Sequence, residues 1–341
     1  MTHNSEWSGV SVLVTGGAGF IGSNLVDNLV SVGAKVWVLD NLDTGELNNL
    51  SNHNVLEYSV FFQENSTINW DEEILFAEGS IGDTKLLEKI IPQIDFIFHL
   101  AAIASVSRCE KNPKEGFSVN LESTLEIASI AAKNKLRGIC FSSSAALYGS
   151  TSDLPISEDN IVSPISKYGD SKALAEDSLL SNSNSFPAAS LRLFNVYGPR
   201  QFPHSANAGV ISILIDKIST DDVIKFNGDG KQSRDFVFVQ DVCNAFMEVG
   251  KNILRDGFNS LCNGQAFNVC TGDGNSILHS VKLIEELLEV NAKTIFGPEV
   301  EGDIKESLGS CKKIKQITGW KPKFKFIEGL KLTISWQNEC E

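Results

Sequence analysis

From residue 10 onward, short apolar runs alternate with stretches whose apolar positions recur every three to four residues. "VSVLVTGG" gives way to "IGSNLVDNLVSVG", and "KVWVLDN" follows. "VFFQENS" and "ILFAEGSIGD" are less regular. Then come "LLEKIIPQ", "IDFIFHLAA", "NLESTLEIASIAAKN", "GICFSSS", "SKALAEDSLLSNS" and "ASLRLFNVYG". Near-continuous apolar strands joined by amphipathic helices predict a parallel sheet covered on both faces. The expected fold class is α/β with a doubly wound sheet, in which ligands bind beyond the carboxyl ends of the strands.

The rhythm changes after about residue 195, where Gly- and Pro-marked loops appear: "YGPRQFPHSANAG", "NGDGKQSRD" and "GDGNS". Helical patterns persist near 209–218 and 276–289. This half reads as a smaller C-terminal α+β substrate-binding domain. The expected division is 1–194 and 195–341, with 235–265 returning to the first domain.

Composition narrows the function. The chain has 341 residues, a formal charge of −14, 42% hydrophobic and 21% charged residues. No basic stripe exists to displace counterions from phosphates, so no nucleic-acid partner is expected. An anionic ligand must be held by local positive groups against the overall field. Seven cysteines without a C-x-x-C pair, and five histidines without H-E-x-x-H, fit a reduced, metal-free protein. The start, "MTHNSEWSG", has neither a basic n-region nor an apolar h-region, and no apolar run reaches the ~18 residues of a membrane span. A cytoplasmic protein with no membrane partner is expected.

The first candidate site is "VLVTGGAGFIGSNLV". Gly16, Gly19 and Gly22 form G-x-x-G-x-x-G between a strand and a helix, with Phe20 and Ile21 inside the turn. A sharp turn, a close approach to a pyrophosphate and the amides of a helix N-terminus are what dinucleotide binding requires. The second strand ends in Asp40, 24 residues after Gly16. A carboxylate there accepts both ribose hydroxyls of NAD and repels the 2′-phosphate of NADP. No arginine follows in "NLDTGELNN" to hold that phosphate. The expected cofactor is NAD on a Rossmann-type fold.

The second is "FSSSAALYG". Ser142, Ser143 and Ser144 could simply close a strand, because serine bonds nearby backbone and favours turns. They could also hold a polar reactant. Downstream, "SKYGDSKAL" spaces Tyr168 and Lys172 at i and i+4, on one helical face. An ammonium near a phenol favours the phenolate and lowers its pKa toward neutrality. Alone, such a pair arises often by chance. Beside an NAD loop and strand-end hydroxyls it reads as catalytic.

The sequence resembles the extended short-chain dehydrogenase/reductase family, specifically its nucleotide-sugar 4-epimerases of the UDP-N-acetylglucosamine type. The matching stretches run the length of the chain: "VTGGAGFIGSNLV", "LDNLDTG", "HLAAIASVSR", "VNLESTLEIA", "FSSSAALYG", "YGDSK", "LRLFNVYGPRQ", "GDGKQSRDFVFVQDV", "GDIKESLG" and "GWKPK". The resemblance implies that Ser144, Tyr168 and Lys172 are the catalytic serine, tyrosine and lysine. It implies further cofactor contacts at Asn41, Thr44, Gly45, Ile81, Leu100, Ala101, Ala102 and Asn120. It places Asn195 against the nucleotide-sugar and Arg234 against its diphosphate, with Ser142 and Ser143 lining the sugar pocket. Gly209, Val210 and Asn227 are further implied substrate contacts, and so are Ala104 and Ser105. In this family the reaction is transient oxidation: Tyr168 takes the proton of the sugar 4-hydroxyl, the C4 hydride passes to NAD, and it returns to the opposite face of the keto intermediate. The helices "NLESTLEIASIAAKN" and "SKALAEDSLLSN" correspond to those that pair in family dimers, implying a homodimer.

The residue at Ser307 sets which sugar the resembling enzymes admit. A tyrosine there admits only a 2-hydroxyl, and a small residue leaves room for a 2-acetamido group. Ser307 and Ser105 thus imply UDP-N-acetylglucosamine, its galactosamine epimer, or the uronate as substrate, although Ser105 could equally cap a turn. UDP-glucose or UDP-glucuronate epimerisation and UDP-glucuronate decarboxylation are the alternatives, with an NAD-binding scaffold as the non-enzyme reading. Dehydration is disfavoured because Ala145 and Ala146, not acids, follow Ser144, and Asp40 disfavours an NADPH-dependent ketoreductase. Four positions depart from the family pattern. Val300 stands where a second diphosphate arginine belongs, Gly309-Ser310 replaces Ala-Asp, and Ser80 replaces the adenine-side aspartate.

Overall fold

The computed structural model describes residues 5–59, 68–70, 73–299 and 304–340. "VFFQENS" and Val300 lie outside the described residues. In chain order the strands are β1 (Ser11–Thr15), β2 (Lys35–Asp40), β3 (Asn54–Glu57), β4 (Glu73–Glu78), β5 (Phe96–His99), β6 (Gly138–Ser144), β7 (Ala188–Leu193), β8 (Asn195–Tyr197), β9 (Val223–Asn227), β10 (Ser233–Phe238), β11 (Gln265–Val269), β12 (Gly274–Ser276), β13 (Lys293–Gly297) and β14 (Glu306–Ser307).

The chain divides into two compact units. One comprises Met1–Gly149, Val162–Arg192 and Cys243–Phe267; the other comprises Ser150–Ile161, Leu193–Val242 and Asn268–Glu341. The returning segment is therefore Cys243–Phe267, where the sequence puts 235–265. Ser150–Ile161 joins the second unit although it precedes the expected boundary at 194. Backbone pairing is the reason: Ile156 N–H donates to Leu308 O, and Ile156 O accepts from Ser310 N–H, both at 2.8 Å.

The first unit is built on an eight-stranded sheet of order β11-β7-β6-β5-β1-β2-β4-β3. The runs from β6 through β5, β1, β2 and β4 to β3 are parallel. Central strands such as "SVLVT" and "FIFH" are buried at nearly every position, because helices cover both faces and no face is left for polar alternation. On one side Leu13, Leu39, Leu75, Ile97, Ile139 and Phe141 pack with Ile127, Ile130, Ala175 and Leu179 from the helices Ser123–Lys133 and Lys167–Ser181. The chain winds outward from β1 through β2 toward β3 and then returns to β5 on the other side of β1. The loops after β1 and β5 part at that reversal, which is where a doubly wound sheet receives a ligand.

In the second unit, β10 pairs with β12, β14 and β8, while β9 and β13 form a separate parallel pair. An aromatic cluster anchors it: Phe236 stacks on Phe326 at 5.2 Å and Phe238 packs on Phe324 at 4.7 Å. No helix among the described residues is long and apolar enough to cross a membrane.

Candidate active site

The glycine loop has the form that its spacing predicts. Gly16 has φ +71°, and a Cβ there would lie 2.8 Å from Ala101 N. A Cβ on Gly22 would lie 2.0 Å from Gly16 O. Both positions exclude a side chain, so the first turn of the helix Phe20–Ser31 folds back against the β1 turn. Gly19 caps that helix in extended conformation and offers no side-chain acceptor. The first-turn amides are left for an anion, where the helix dipole also favours it.

Asp40 closes this site from β2. Its carboxylate is 7% exposed, and it accepts the N–H groups of Ala18 at 3.0 Å and Leu42 at 2.9 Å. Burial raises its pKa above the ordinary value, and these backbone bonds oppose the rise. Asn41 and Thr44 are exposed beside it and Gly45 is half-buried. A cradle closed to side chains, uncapped helix amides and an acid at the second strand fit a dinucleotide with an unphosphorylated ribose.

The floor of the site is a chain of buried hydrogen bonds. The Thr15 hydroxyl, which accepts Leu100 N–H and Ala101 N–H at 3.2 Å each, lies 2.7 Å from His99 Nδ1. His99 Nε2 lies 2.9 Å from the Thr124 hydroxyl, which donates to Asn120 O at 2.8 Å. Those partners assign a proton to Nε2 and leave Nδ1 as acceptor. Burial drives the His99 pKa down to about 3, so the ring is neutral. Asn120 sits in a π-helical turn, Ser118–Glu122. Its amide accepts Ile103 N–H at 2.8 Å and donates to Ile103 O and the Ser171 hydroxyl at 3.1 Å. The Asn120 side chain thus braces the β5 loop against the helix of Tyr168. Ile81 is likewise buried in the core at 5% exposure, while Leu100, Ala101 and Ala102 remain half-buried on the β5 loop.

Ser144 ends β6, and its hydroxyl accepts Ala146 N–H at 3.1 Å. Tyr168 and Lys172 stand one turn apart on the helix Lys167–Ser181. The helix start is fixed by Ser166, which accepts Gly169 N–H at 3.0 Å, and by Glu110, which accepts Lys167 N–H at 2.7 Å. The Ser144 hydroxyl lies near enough to Tyr168 to lower its pKa. Lys172 is 2% exposed, with its ammonium 4.2 Å above the Phe141 ring.

The electrostatics correct one expectation. In this structure the Tyr168 pKa is raised, chiefly by burial, with the Ser144 hydroxyl opposing. Lys172 falls to about 7, again chiefly by burial, although Glu176 pulls it upward. Burial dominates both shifts and disfavours the charged form of each group, against the phenolate-favouring effect that the sequence argument expected. Of the remaining serines, Ser142 and Ser143 are 9% and 2% exposed. The Ser143 hydroxyl has no hydrogen-bond partner among the described residues. Ser105 caps the helix Val106–Lys111, accepting Arg108 N–H at 3.3 Å, and Ala104 beside it is exposed.

In the second unit, three expected residues come onto adjoining strands. Arg234 of β10 is in register with Ser307 of β14, and Asn195 of β8 with Phe236 of β10. Asp235, between them and fully buried, accepts from Thr271 N–H and hydroxyl at 2.7 Å, Gly272 N–H at 2.9 Å and Gly309 N–H at 3.2 Å. Gly209 and Val210 open the helix Val210–Ser219. Asn227 is exposed at the end of β9, in a different sheet.

Sequence reasoning missed Asp235, the His99 chain and the cap from Glu110, since each joins residues far apart in sequence. It also missed Glu176, four residues beyond Lys172. Arg192 Nη2 lies 2.6 Å and Nε 3.0 Å from Glu176 Oε1, the Ser190 hydroxyl donates to Oε2 at 2.6 Å, and Arg192 Nη1 donates to Tyr148 at 2.8 Å. An acid on the apolar face of an amphipathic helix is the signal that could have found it. Among the described residues no group of His, Cys, Asp and Glu could hold a metal ion.

Sheet, glycine cradle and strand-end acid define an enzyme fold of the Rossmann type that takes a dinucleotide. Comparison with known proteins makes this specific. The model of the NAD dependent epimerase/dehydratase family matches residues 12–270, and the chain belongs to that family of NAD-dependent enzymes. A relative from Mycolicibacterium smegmatis, a UDP-glucose 4-epimerase, is 33% identical over 330 residues, covering 95% of this chain and 97% of its own. The crystal structure of a UDP-glucose 4-epimerase from Thermotoga maritima with UDP-glucose is 32% identical with a TM-score of 0.84, covering 97% of this chain and 99% of that one. A UDP-N-acetylglucosamine 4-epimerase from Methanobrevibacter ruminantium, in complex with UDP-N-acetylmuramic acid, is 31% identical with a TM-score of 0.85, covering 98% of this chain and all of that one.

Proposed function

We propose that this enzyme interconverts the C4 epimers of a UDP-N-acetylhexosamine, or of its uronate, with Ser144, Tyr168 and Lys172 as catalytic residues. The observation that carries the reaction is Tyr168 and buried Lys172 one turn apart on one helix, with the Ser144 hydroxyl at the end of β6 near enough to lower the Tyr168 pKa. NAD, when bound, supplies the hydride acceptor and a cationic ring. Gly16, Gly19 and Gly22, with the amides at Phe20 and Ile21, would hold its pyrophosphate, and Asp40 its ribose. Tyr168 as phenolate removes the proton of the sugar 4-hydroxyl, and Ser144 orients that oxygen. Lys172 as ammonium stabilises the phenolate; since burial disfavours each charge alone, the two ionise as a pair. Tyr168 returns the proton when the keto carbon is reduced from the other face.

The substrate class rests on Ser307, a small residue in register with Arg234, and on relatives that act on UDP-sugars. Arg234 and Asn195 would hold the nucleotide-sugar. The test is conversion of UDP-N-acetylglucosamine and UDP-glucose, followed by NMR of the sugar ring. Wild type is expected to convert the acetamido sugar, and Ser307→Tyr to lose it while keeping UDP-glucose, with a selectivity change on the order of tenfold or more. Equal loss on both sugars overturns the assignment. A homodimer is part of this reading. Leu125 and Leu174, on the two helices named for pairing, are 40% and 50% exposed, and sedimentation should give twice the chain mass.

A further inference from the structure

Three loops of the first unit leave the sheet at its carboxyl end: Gly16–Gly22 after β1, residues 41–46 after β2, and residues 100–105 after β5. Because β1 lies between β5 and β2, the last two flank the glycine loop. The helix Val106–Lys111 continues the β5 loop, and its Arg108 makes an ion pair with Asp43 of the β2 loop through Nη1. The rest of the guanidinium is held by Glu115, with Nη2 2.5 Å from Oε1 and Nε 3.4 Å from Oε2. A planar fork fixed along one edge presents its remaining nitrogen in one direction, which a flexible lysine would not do.

The Asp43 end is equally fixed. Asp43 N–H donates to Asn41 Oδ1 at 3.2 Å, and Leu42, at φ +56°, donates its N–H to the Asp40 carboxylate at 2.9 Å. Behind it, Glu46 N–H donates to Ala18 O at 3.0 Å. The Arg108–Asp43 pair thus joins the two loops on either side of the glycine cradle.

We propose that this ion pair is a latch on the cofactor: it closes the gap between the β2 and β5 loops and sets how long the dinucleotide stays bound. The proposal rests on the placement of NAD given above. A dinucleotide with its pyrophosphate on Gly16–Gly22 and a ribose on Asp40 has to pass between these loops to leave. An enzyme that regenerates its cofactor in every cycle gains from slow release. The side chains of Arg108 and Asp43 are 34% and 43% exposed, so the pair is open to screening by salt. The latch helix also carries Glu110, whose carboxylate accepts Lys167 N–H at 2.7 Å at the start of the Tyr168 helix. Arg108 is therefore a positioning residue tied to both the ribose loop and the catalytic helix.

The experiment is the rate of NAD release from purified holoenzyme, read by absorbance in the presence of an NAD-consuming trap. It compares wild type, Asp43→Asn, Arg108→Met and the double variant at about 0.05 and about 0.5 M NaCl. At low salt each single variant is expected to release NAD about threefold to tenfold faster than wild type, and the double variant no faster than the faster single. Salt should accelerate release from wild type and leave the variants nearly unchanged, which a loss of general stability would not reproduce. Release from Asp43→Asn at the wild-type rate overturns the latch, including the case in which Arg108→Met alone is fast and Arg108 grips the cofactor directly. Wild type that fails to retain NAD at all overturns it too. The readout uses no sugar, so failure of the epimerase reading leaves it standing.

Discussion

In the first unit, Ser144, Tyr168 and Lys172 rest on several buried supports: the Thr15–His99–Thr124 chain, the Asn120 brace, and the Glu176–Arg192 pair beneath their helix. In the second, Arg234 and Ser307 stand half-exposed on short strands whose one fully buried polar anchor among the described residues of β10 is Asp235. Chemistry at one carbon needs reacting groups fixed to fractions of an ångström. Choosing among sugars needs only a shaped wall, which accepts exchange of one residue for another. Most departures from the family pattern fall in the second half of the chain: Gly309 and Ser310 lie next to the Asp235 anchor and Val300 belongs to the same half, whereas Ser80 belongs to the first unit.

The sharpest way to break this contrast is in the first unit. Tyr168→Phe removes the proposed base and should lower turnover by about 10²–10⁴-fold with the melting temperature nearly unchanged. Turnover near wild type would remove the mechanism. Glu176→Gln tests the support beneath it. The pair has side chains 9% and 5% exposed, and the change leaves the Arg192 charge buried without its counterion. A loss of about 3–5 kcal/mol in urea unfolding is expected. A loss below about 1 kcal/mol would mean that the site does not stand on this pair.

The same contrast governs how much was legible beforehand. The doubly wound sheet announced itself through "VSVLVTGG", "KVWVLDN" and "IDFIFHLAA", because strands buried on both faces read as near-continuous apolar runs between amphipathic helices. Gly16, Gly22 and Asp40 were legible because backbone approach and ribose recognition restrict the residue type at fixed spacing. Tyr168 and Lys172 were legible as a pair, but not their protonation, since burial acts through the surrounding fold rather than through spacing. The Asn120 brace on Ile103, 17 residues away, has no local signature, whereas the Ser105 cap on Arg108 is local and was one of the two readings of that serine. Ser150–Ile161 joined the second unit through backbone bonds from Ile156, for which "DLPISED" carries no signal.

A smaller effect concerns Lys172. Its value in the fold, about 7, lies below the ordinary 10.5, so between these limits the unfolded chain binds the proton more tightly. Stability of the NAD-free protein should therefore rise with pH from about 7 until the tyrosines of the unfolded chain begin to titrate near 10. Below 7 the cost of burying the ammonium is fully present. Lys172→Met keeps the apolar stem over Phe141 and removes the charge. It should raise stability by about 2 kcal/mol at pH 6, flatten the pH dependence, and abolish turnover. An unchanged slope in urea unfolding between pH 7 and 9 would show that Lys172 is not the group responsible.

The smallest effect lies beside the Asp235 anchor, where Gly309 replaces the alanine of the family pattern. A methyl group there would lie 2.6 Å from Cys270 Sγ and 2.7 Å from Phe194 Cζ, both residues buried. The space that a methyl group would take is filled by Cys270 and Phe194. Gly309→Ala should destabilise by about 1–3 kcal/mol, because a filled core cannot move aside for an added carbon. Cys270→Ala vacates part of that space, so the double variant should be more stable than the sum of the singles by about 1 kcal/mol. Phe194 stays in place, so recovery is partial. Sugar preference of the double variant should match wild type, since Gly309 touches Asp235 only through its N–H, which alanine keeps. Strictly additive unfolding energies, or a changed preference between acetamido and hydroxyl sugars, would place Gly309 in the wall of the sugar pocket instead.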